Sequence, residues 1–230
     1  MFRKILGRIR LWFRNVLVFF FLSTLIVVLA YRIIPVKITP LMVLRMKFPQ
    51  QDWEPIKNMS PNVYYSAMAS EDPNFLKHHG FDFDAIKKAY EESKKYKKRL
   101  RGGSGISQQC AKNIFLNTSH SWIRKGFEAY FTVLLEFFWN KKRIMEVYFN
   151  IIEMGDGIYG IESASRSYYH KKSSQLSLAE AAMIVSCFPN PRRFTPFKHP
   201  AWIEQKRSMV MTFAGWMPRV NWDGSKNTKK

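Results

Sequence analysis

Two neighbouring carboxylates open the part of this sequence that is richest in groups able to move a proton. Glu71 and Asp72 stand side by side, and His78 and His79 follow shortly afterwards. A carboxylate beside imidazoles can act as a general base. Alternatively, Ser70 caps a helix whose first turn carries both acids, because carboxylates are favoured near a helix N-terminus. The residues themselves leave both interpretations open.

A glycine-rich loop and the polar segment after it form a second group of candidates. The loop, RGGSGISQQ, covers residues 101–109, and Lys112 and Asn113 follow about one helical turn later. It lacks the GxxxxGK[ST] pattern of a P-loop, and it is not a GxGxxG turn after a strand. Its backbone N–H groups, hydroxyls, amides and lysine can nevertheless surround a phosphate or a sugar.

A third group lies in a segment with an apolar second half. Arg124 and Glu128 are four residues apart, so a helix places them on one face. The residues after them are apolar on nearly all sides, which predicts a buried helix in which Glu128 and Glu136 each need a partner or a function. If Glu71 deprotonates an acceptor hydroxyl while cations take up a leaving charge, the set suits sugar transfer from a pyrophosphate.

The charge distribution favours a membrane surface over nucleic acid as the polyanionic partner. The 230 residues carry a formal net charge of +20, and the first 50 include Lys and Arg but no Asp or Glu. These cations flank an apolar run, and anionic lipid headgroups attract such segments. Because 47% of the residues are hydrophobic and no linker rich in Gly, Pro or Ser occurs, we expect one folded domain.

Several chemistries are not supported by the sequence. Cys110 and Cys187 show no CxxC or Cys/His spacing, so we expect buried apolar side chains, with one disulfide as the alternative. The chain contains no HExxH motif, no EF-hand loop and no SxxK motif of penicillin-binding acyl transfer. Zinc-dependent hydrolysis and transpeptidation are therefore not predicted.

The segment from Val16 to Tyr31 is apolar except for Ser23 and Thr24, and with its flanks it is long enough to cross a bilayer. No small-x-small cleavage site follows, which favours an uncleaved anchor over a signal peptide. Basic residues are more numerous before the run than after it, which places the N-terminus in the cytoplasm. We predict a basic cytoplasmic tail, a transmembrane anchor, an extracytoplasmic catalytic domain and a polar tail at 1–14, 15–34, 35–222 and 223–230.

Helical periodicity dominates the rest of the chain, and the predicted helices cover 82–96, 122–139, 141–154 and 177–188. Ser177 and Glu180 form a capping box at the start of the last of these. No alternating strand pattern of comparable strength occurs, so the predicted fold class is mainly α. Residues 37–50 are short, apolar and basic, which indicates a connector near the bilayer surface, with a buried loop as the alternative.

Five segments occur in a characteristic order: EDPNFLKHHGFD (71–82), RGGSGISQQCAKNIFL (101–116), RKGFEAYFTVLLE (124–136), KKRIMEVYFNIIEMGDGIYGIESASRSYYHK (141–171) and LSLAEAAMIVSCFPNP (176–191). Over about residues 38–215 they resemble the motifs of the family 51 peptidoglycan glycosyltransferases. The chain is similar to the monofunctional members, which lack a transpeptidase domain. The resemblance implies a lysozyme-like α-helical head, a small membrane-proximal jaw region and an active cleft between them.

The resemblance also implies the reaction. Lipid II is polymerised into β-1,4-linked glycan with inversion at the anomeric carbon and release of undecaprenyl pyrophosphate, at the bacterial cytoplasmic (inner) membrane. Glu71 matches the base that activates the acceptor 4-hydroxyl. Glu128 matches a second essential glutamate near the pyrophosphate, where Mg²⁺ or Mn²⁺ often assists. The implied partners are lipid II, the growing lipid-linked glycan, membrane lipids and other cell-wall synthesis proteins, without nucleic acid or an organic cofactor.

Further positions match the family's substrate-binding motifs. The implied substrate-binding residues are Asp72, Phe75, His78, Gly80, Ser104, Gln108, Gln109, Lys112, His120, Arg124 and Lys125. Two positions depart from the family pattern. Gly105 replaces a threonine, which we expect to loosen the loop, and His120 replaces an arginine, which we expect to make one phosphate contact weaker or pH-dependent. The rival functions are a glycan hydrolase on the same fold and a non-catalytic scaffold.

Overall fold

The computed structural model describes residues 2–45, 49–95, 104–117, 121–220 and 222. These residues form two units with a boundary between Pro35 and Val36. The first unit is dominated by one helix, α1 (Phe2–Tyr31). Its stretch Ile5–Tyr31 is long and apolar enough to cross a membrane. The hydroxyls of Ser23 and Thr24 each donate to the carbonyl oxygen of Phe20 at 3.0 Å, so they need no partner outside the helix.

The second unit begins at Val36 and is mainly helical, as predicted. Its remaining elements are α2 (Pro40–Leu44), β1 (Gln50–Gln51), α3 (Pro61–Glu71), α4 (Phe83–Lys95), α5 (Ile106–Phe115), α6 (Trp122–Phe138), α7 (Lys141–Ile151), β2 (Glu153–Gly155), β3 (Ile158–Tyr159), α8 (Ile161–Tyr169), α9 (Leu178–Ser186) and α10 (Ala201–Trp216). Two short 3₁₀ turns, Ile56–Asn58 and Ser173–Gln175, complete the described elements. The predicted capping box is present, since the backbone N–H of Ser177 donates to Glu180 Oε2 at 2.8 Å.

Two groups of helices build the core. In one group α3, α9 and α10 pack against one another, and in the other α5 packs against both α6 and α7. Helix α7 supplies large fully buried side chains, including Tyr148 and Phe149. Cys110 and Cys187 are both free and buried, as expected for small apolar core residues. Burial on this scale fixes the backbone of α3 and α5, the two helices that carry the carboxylate and the polar loop.

A small sheet corrects the predicted helix 141–154. Helix α7 ends at Ile151, and Ile152 is already extended (φ −69°, ψ 137°). The chain then forms β2, which pairs antiparallel with β3, while β1 pairs parallel with β3. Gly157 lies in the turn between β2 and β3 with φ +79°, a conformation that favours glycine. The apolar spacing continued past Ile151 because β2 is buried, and a short buried strand cannot be distinguished from a helix by periodicity.

Helix α3 corrects a second expectation. The alternative in which Ser70 caps a new helix is wrong, because Glu71 is the last residue of α3 and Asp72 is its C-cap. The helix begins at Pro61, at a position where proline is well tolerated. Its residues Val63 to Met68 are all buried, so no polar stripe marks it in the sequence. The segment 37–50 is likewise more than a loop, since Thr39 caps α2 and both Leu41 and Met42 are buried.

Candidate active site

Glu71 is the residue from which the site is built. It lies at the C-terminal end of α3, and its side chain is 19% exposed. Ser70 Oγ donates to Glu71 Oε1 at 2.8 Å, and Gln109 Nε2 donates to Oε2 at 3.2 Å. Lys206 Nζ from α10 lies 3.4 Å from Oε1. A carboxylate at the negative end of a helix dipole is disfavoured, so these donors compensate for its position and orient it.

Gln109 is itself held in one orientation. Its Oε1 accepts a hydrogen bond from the hydroxyl of Tyr148 at 3.2 Å, which leaves its Nε2 to donate to Glu71 and to the carbonyl oxygen of Ser104 at 3.1 Å. Burial raises the pKa of Tyr148 well above its usual range, and the nearby Glu71 adds to this effect. Tyr148 therefore remains a hydrogen-bond donor, and the amide of Gln109 keeps its N–H groups towards Glu71.

Asp72 and His78 are bonded to each other, and their contacts with substrate stay predictions. Asp72 is 4% exposed, its Oδ1 bonds His78 Nε2 at 2.8 Å, and its Oδ2 accepts the backbone N–H of Ile106 at 3.0 Å. A Cβ on Gly105 would overlap Asp72 Oδ2, so only glycine admits this approach. Gly105 thus has a different role from the expected loosening: it lets Asp72 attach the start of α5 to the end of α3.

Glu128 lies on α6 with an excess of cations around it. It is 2% exposed, and Arg124 Nη1 contacts its Oε2 at 2.6 Å, as the four-residue spacing predicted. Lys125 Nζ pairs with its Oε1, and Ser104 Oγ donates to the same oxygen at 3.3 Å. Burial alone would raise the pKa of Glu128, but the hydrogen bonds from Lys125 and Arg124 outweigh burial and lower it. Glu128 is therefore an anion that holds two cations in place.

A cleft of about 390 Å³ contains Glu71 together with the cationic side of the site. Helix α5 contributes Gln109, Lys112 and Asn113 to its wall, and α6 contributes Arg124. Lys112 and Asn113 are three and four residues after Gln109, so all three lie on one face of α5. Burial lowers the pKa of Lys112; the carboxylates of Glu128 and Glu71 oppose this shift, whereas Arg124 and Lys125 reinforce it. The cleft therefore combines one carboxylate that can accept a proton with cations that can receive an anion.

Three further predicted residues, Phe75, Gly80 and Gln108, are buried. Phe75 is fully buried with Lys141 Nζ 4.4 Å from its ring centroid, and Gly80 (φ +89°) has no room for a Cβ beside Thr132. Gln108 is buried and accepts the backbone N–H of Gly105 at 3.3 Å. Substrate contacts by Phe75, Gly80 and Gln108 stay predictions. His120 lies outside the described residues.

Lys206 is the contact that sequence reasoning missed. It is 135 positions from Glu71 in the chain and lies in α10, beyond the last of the five motifs. No spacing rule joins residues so far apart, because only the packing of α10 against α3 brings them together. The predicted helices do not include Lys206, and the sequence carries no signal of its partner.

A protein-held metal ion does not fit the site at Glu128. Both of its carboxylate oxygens already accept bonds from cationic side chains. Within the described ranges, no three His, Cys, Asp or Glu side chains are grouped so that they could hold an ion. Lysine and arginine supply the positive charge here. Mg²⁺ or Mn²⁺ carried in by a pyrophosphate stays a prediction.

Comparison with known proteins agrees with this geometry. The model of the transglycosylase family matches residues 40–214. A biosynthetic peptidoglycan transglycosylase of Bacteroides thetaiotaomicron is 44% identical over 215 residues, which cover 90% of this chain and 86% of that protein. Proteins of the same name from Bdellovibrio bacteriovorus (45% over 195 residues, 81% and 78%) and Caulobacter vibrioides (41% over 222 residues, 93% and 96%) are also similar.

The helical domain and its cleft, with an acid and several cations, are those of a glycosyl-transferring enzyme. The chain belongs to the transglycosylase family. It is a peptidoglycan glycosyltransferase, and the family match is to the transglycosylase domain.

Proposed function

We propose that this enzyme polymerises lipid II into β-1,4-linked glycan strands and releases undecaprenyl pyrophosphate, with Glu71 as the general base. The supporting observation is that Glu71 and the cations Lys112 and Arg124 line one cleft. Two sugars bound side by side in the cleft would place the acceptor's hydroxyl at the carboxylate and the donor's leaving group at the cations. This arrangement separates the two charges that the reaction creates.

The proposed base step uses the carboxylate of Glu71. Glu71 takes the proton of the acceptor 4-hydroxyl, the hydroxyl oxygen forms a bond to the anomeric carbon, and the bond from that carbon to the pyrophosphate oxygen breaks. The electron pair of the broken bond leaves with the pyrophosphate, so the anomeric configuration inverts. Gln109 and Lys206 keep Glu71 oriented towards the cleft. Glu71 then loses its proton to water and is ready for the next sugar.

The leaving charge is taken up on the other side of the cleft. Lys112 and Arg124 line it, and Lys125 is held beside Arg124 through Glu128. The proposed role of Glu128 is to fix these two cations before the pyrophosphate arrives, because preorganised charges need no rearrangement at the transition state. Glu128 therefore acts through the cations rather than on the sugar.

We also propose the membrane orientation. The apolar run Val16–Tyr31 is preceded by Arg3, Lys4, Arg8, Arg10 and Arg14, which supports a cytoplasmic N-terminus and an extracytoplasmic catalytic domain. A lipid-linked donor explains why the enzyme is anchored, since its substrate does not leave the membrane. A C-terminal alkaline phosphatase fusion tests the orientation: we expect phosphatase activity, and an inactive but expressed fusion contradicts the proposal.

The function is tested with two substrates. The full-length protein in detergent is incubated with fluorescent lipid II and, separately, with finished peptidoglycan. We expect long glycan that a muramidase degrades from the first substrate and no soluble fragments from the second. Release of fragments from peptidoglycan without polymerisation indicates the rival hydrolase. No reaction with either substrate indicates a scaffold.

A further inference from the structure

Helix α1 is longer than the apolar run that it contains. The helix covers Phe2–Tyr31, whereas the apolar run begins at Val16. At 1.5 Å per residue the whole helix is roughly 45 Å long, which exceeds the hydrocarbon thickness of about 30 Å. The backbone stays helical through Arg14 and Asn15 without a break. The basic segment 2–14 is therefore a helical continuation of the proposed membrane anchor.

Three arginines of this segment form a stripe along one face of the helix. Successive residues of an α-helix are turned by about 100°, so Arg10 and Arg14 are only about 40° apart, and Arg3 lies between them. Arg8 is turned by about 160° from Arg10. Trp12 lies on the face opposite the stripe and is 66% exposed. All three stripe residues are exposed as well. Arg3, Arg10 and Arg14 are called the arginine stripe below.

The arginine stripe has no negative charge to pair with in its own unit. The first unit ends at Pro35, and its sequence contains no Asp or Glu. Arg14 donates to Asn15 Oδ1 from Nε at 3.4 Å and from Nη2 at 3.3 Å, but this amide is neutral and leaves the charge uncompensated. Like charges four residues apart destabilise a helix. The stripe is therefore complementary to a ligand that brings negative charge.

The depth of the stripe in a bilayer favours lipid headgroups as the source of that negative charge. The headgroup layers add roughly 5 to 7 Å to each side of the hydrocarbon core. If the core begins near Val16, Arg14 lies at its boundary and Arg10 lies roughly 6 Å further out, within the headgroup layer. Trp12 lies at the same depth, where tryptophan is enriched in membrane proteins. Arg10 and Arg14 are therefore placed to bind headgroup phosphates.

We propose that Arg10 and Arg14 bind a phospholipid whose headgroup joins two phosphates through glycerol, namely diphosphatidylglycerol. Each guanidinium donates two hydrogen bonds to one phosphate. The two arginines are one helical turn apart, roughly 6 Å along the axis. Phosphates joined through glycerol can span that distance, whereas the phosphates of a pyrophosphate share one oxygen and lie closer together. Binding of the first phosphate holds the second at a high local concentration. This inference rests on the proposed membrane anchor and not on the proposed reaction.

The experiment measures lipid selectivity on the full-length protein. The protein is reconstituted in phosphatidylcholine vesicles with a trace of one spin-labelled lipid, and electron paramagnetic resonance gives the fraction of that lipid immobilised by the protein. The labelled lipids are diphosphatidylglycerol, phosphatidylglycerol and undecaprenyl pyrophosphate. We expect diphosphatidylglycerol to associate about fivefold more strongly than phosphatidylglycerol, because the second arginine binds the second phosphate of the same molecule. Equal association of these two lipids overturns the proposal.

Three variants separate the stripe from the overall charge. R10Q/R14Q should lose the preference for diphosphatidylglycerol. R8Q/R32Q removes the same charge but leaves Arg10 and Arg14 in place, so it should keep the preference. R10L/L11R keeps the total charge but turns one arginine by about 100°, so it should lose most of the preference. If R10L/L11R keeps the preference in full, overall charge accounts for the binding and the stripe is wrong.

Two further outcomes separate the lipid site from its rivals. If undecaprenyl pyrophosphate is immobilised more strongly than diphosphatidylglycerol and R10Q/R14Q removes that difference, the stripe binds a pyrophosphate lipid and the proposal is overturned. Polymerisation of lipid II is measured on the same preparations. If the protein shows the expected lipid preference but does not polymerise lipid II, the proposed function fails and the stripe stands. If it polymerises lipid II but shows no preference, the function stands and the stripe fails.

Discussion

Helix α6 carries two glutamates, Glu128 and Glu136, whose side chains are 2% and 6% exposed and have similar partners but different consequences. Glu128 is paired with a lysine and a serine, Lys125 and Ser104, and Glu136 is also paired with a lysine and a serine, Lys141 and Ser107. The difference is the second cation at Glu128, Arg124, which opens into the cleft. Lys141 instead lies over the ring of fully buried Phe75.

This comparison shows that burial and pairing do not by themselves identify a functional glutamate. At Glu136 one carboxylate meets one cation, and the charges cancel inside the core. At Glu128 one carboxylate holds two cations, and Lys112 nearby adds a third positive charge. The surplus charge and its access to the cleft distinguish a site for an anionic leaving group from a structural ion pair.

The largest expected effect in this comparison is that of Glu128→Gln. We expect polymerisation to fall by about 100-fold, because Arg124 and Lys125 lose the anion that fixes them and the leaving charge is less well stabilised. The loss should appear in kcat per folded molecule, and the melting temperature should fall as well, because two cations lose their shared counterion at a buried site. Steady-state kinetics with lipid II measures it, and a variant with normal kcat would assign Glu128 a purely structural role.

Glu136→Gln should lower stability without lowering activity. We expect about 2 kcal/mol lower stability, because Lys141 keeps its charge and loses its counterion in the protein interior. Activity per folded molecule should stay within about twofold of the unmodified enzyme. Thermal melting and kinetics on the same preparation test both statements. A large fall in kcat without loss of stability would remove the distinction between the two glutamates.

The pH dependence of donor binding at the cationic side of the cleft should follow the protonation of Lys112. Its pKa is lowered chiefly by burial. Its positive charge is present below that pKa and is lost as the pH rises through it, so donor binding should weaken at a lower pH than an ordinary lysine would allow. Arginine in Lys112→Arg keeps its charge at all these pH values, so the fall of kcat/KM at alkaline pH should occur at a higher pH. If kcat/KM falls over the same alkaline pH range in both proteins, Lys112 does not have this role.

The smallest effect concerns the loop that carries Ser104. Gly105→Ala should lower stability by about 1 kcal/mol, because the new Cβ displaces Asp72 from the N-terminus of α5. Gly126→Ala is the matched control, since nothing lies within 4 Å of its added Cβ and alanine favours a helix. Urea denaturation compares the two variants, and equal stability would show that Asp72 adapts freely.

The sequence predicted local features of the site well and long-range ones poorly. The contact between Arg124 and Glu128 follows from their spacing on one helix turn. The bounds of α6 follow within one residue from apolar periodicity, and the start of α9 follows from its capping box. The contacts of Glu71 with Gln109 and Lys206 depend on how α3, α5 and α10 pack, which no local pattern specifies. The start of α3 was missed because its residues are buried on several faces. The ion pair between Arg45 and Glu153 was missed because the two residues are 108 positions apart in the chain.

The central claim is that Glu71 is the base, and Glu71→Gln tests it most directly. Glutamine keeps the shape and one acceptor oxygen, which can bond Lys206 or Gln109 but not both. The fold should be retained because the side chain is at a helix end and partly exposed, but glutamine cannot accept the acceptor proton. We predict about a 1,000-fold loss of lipid II polymerisation with an unchanged melting temperature, while Glu91→Gln on the exposed face of α4 leaves both unchanged. Polymerisation by Glu71→Gln within about tenfold of the unmodified enzyme would contradict the account.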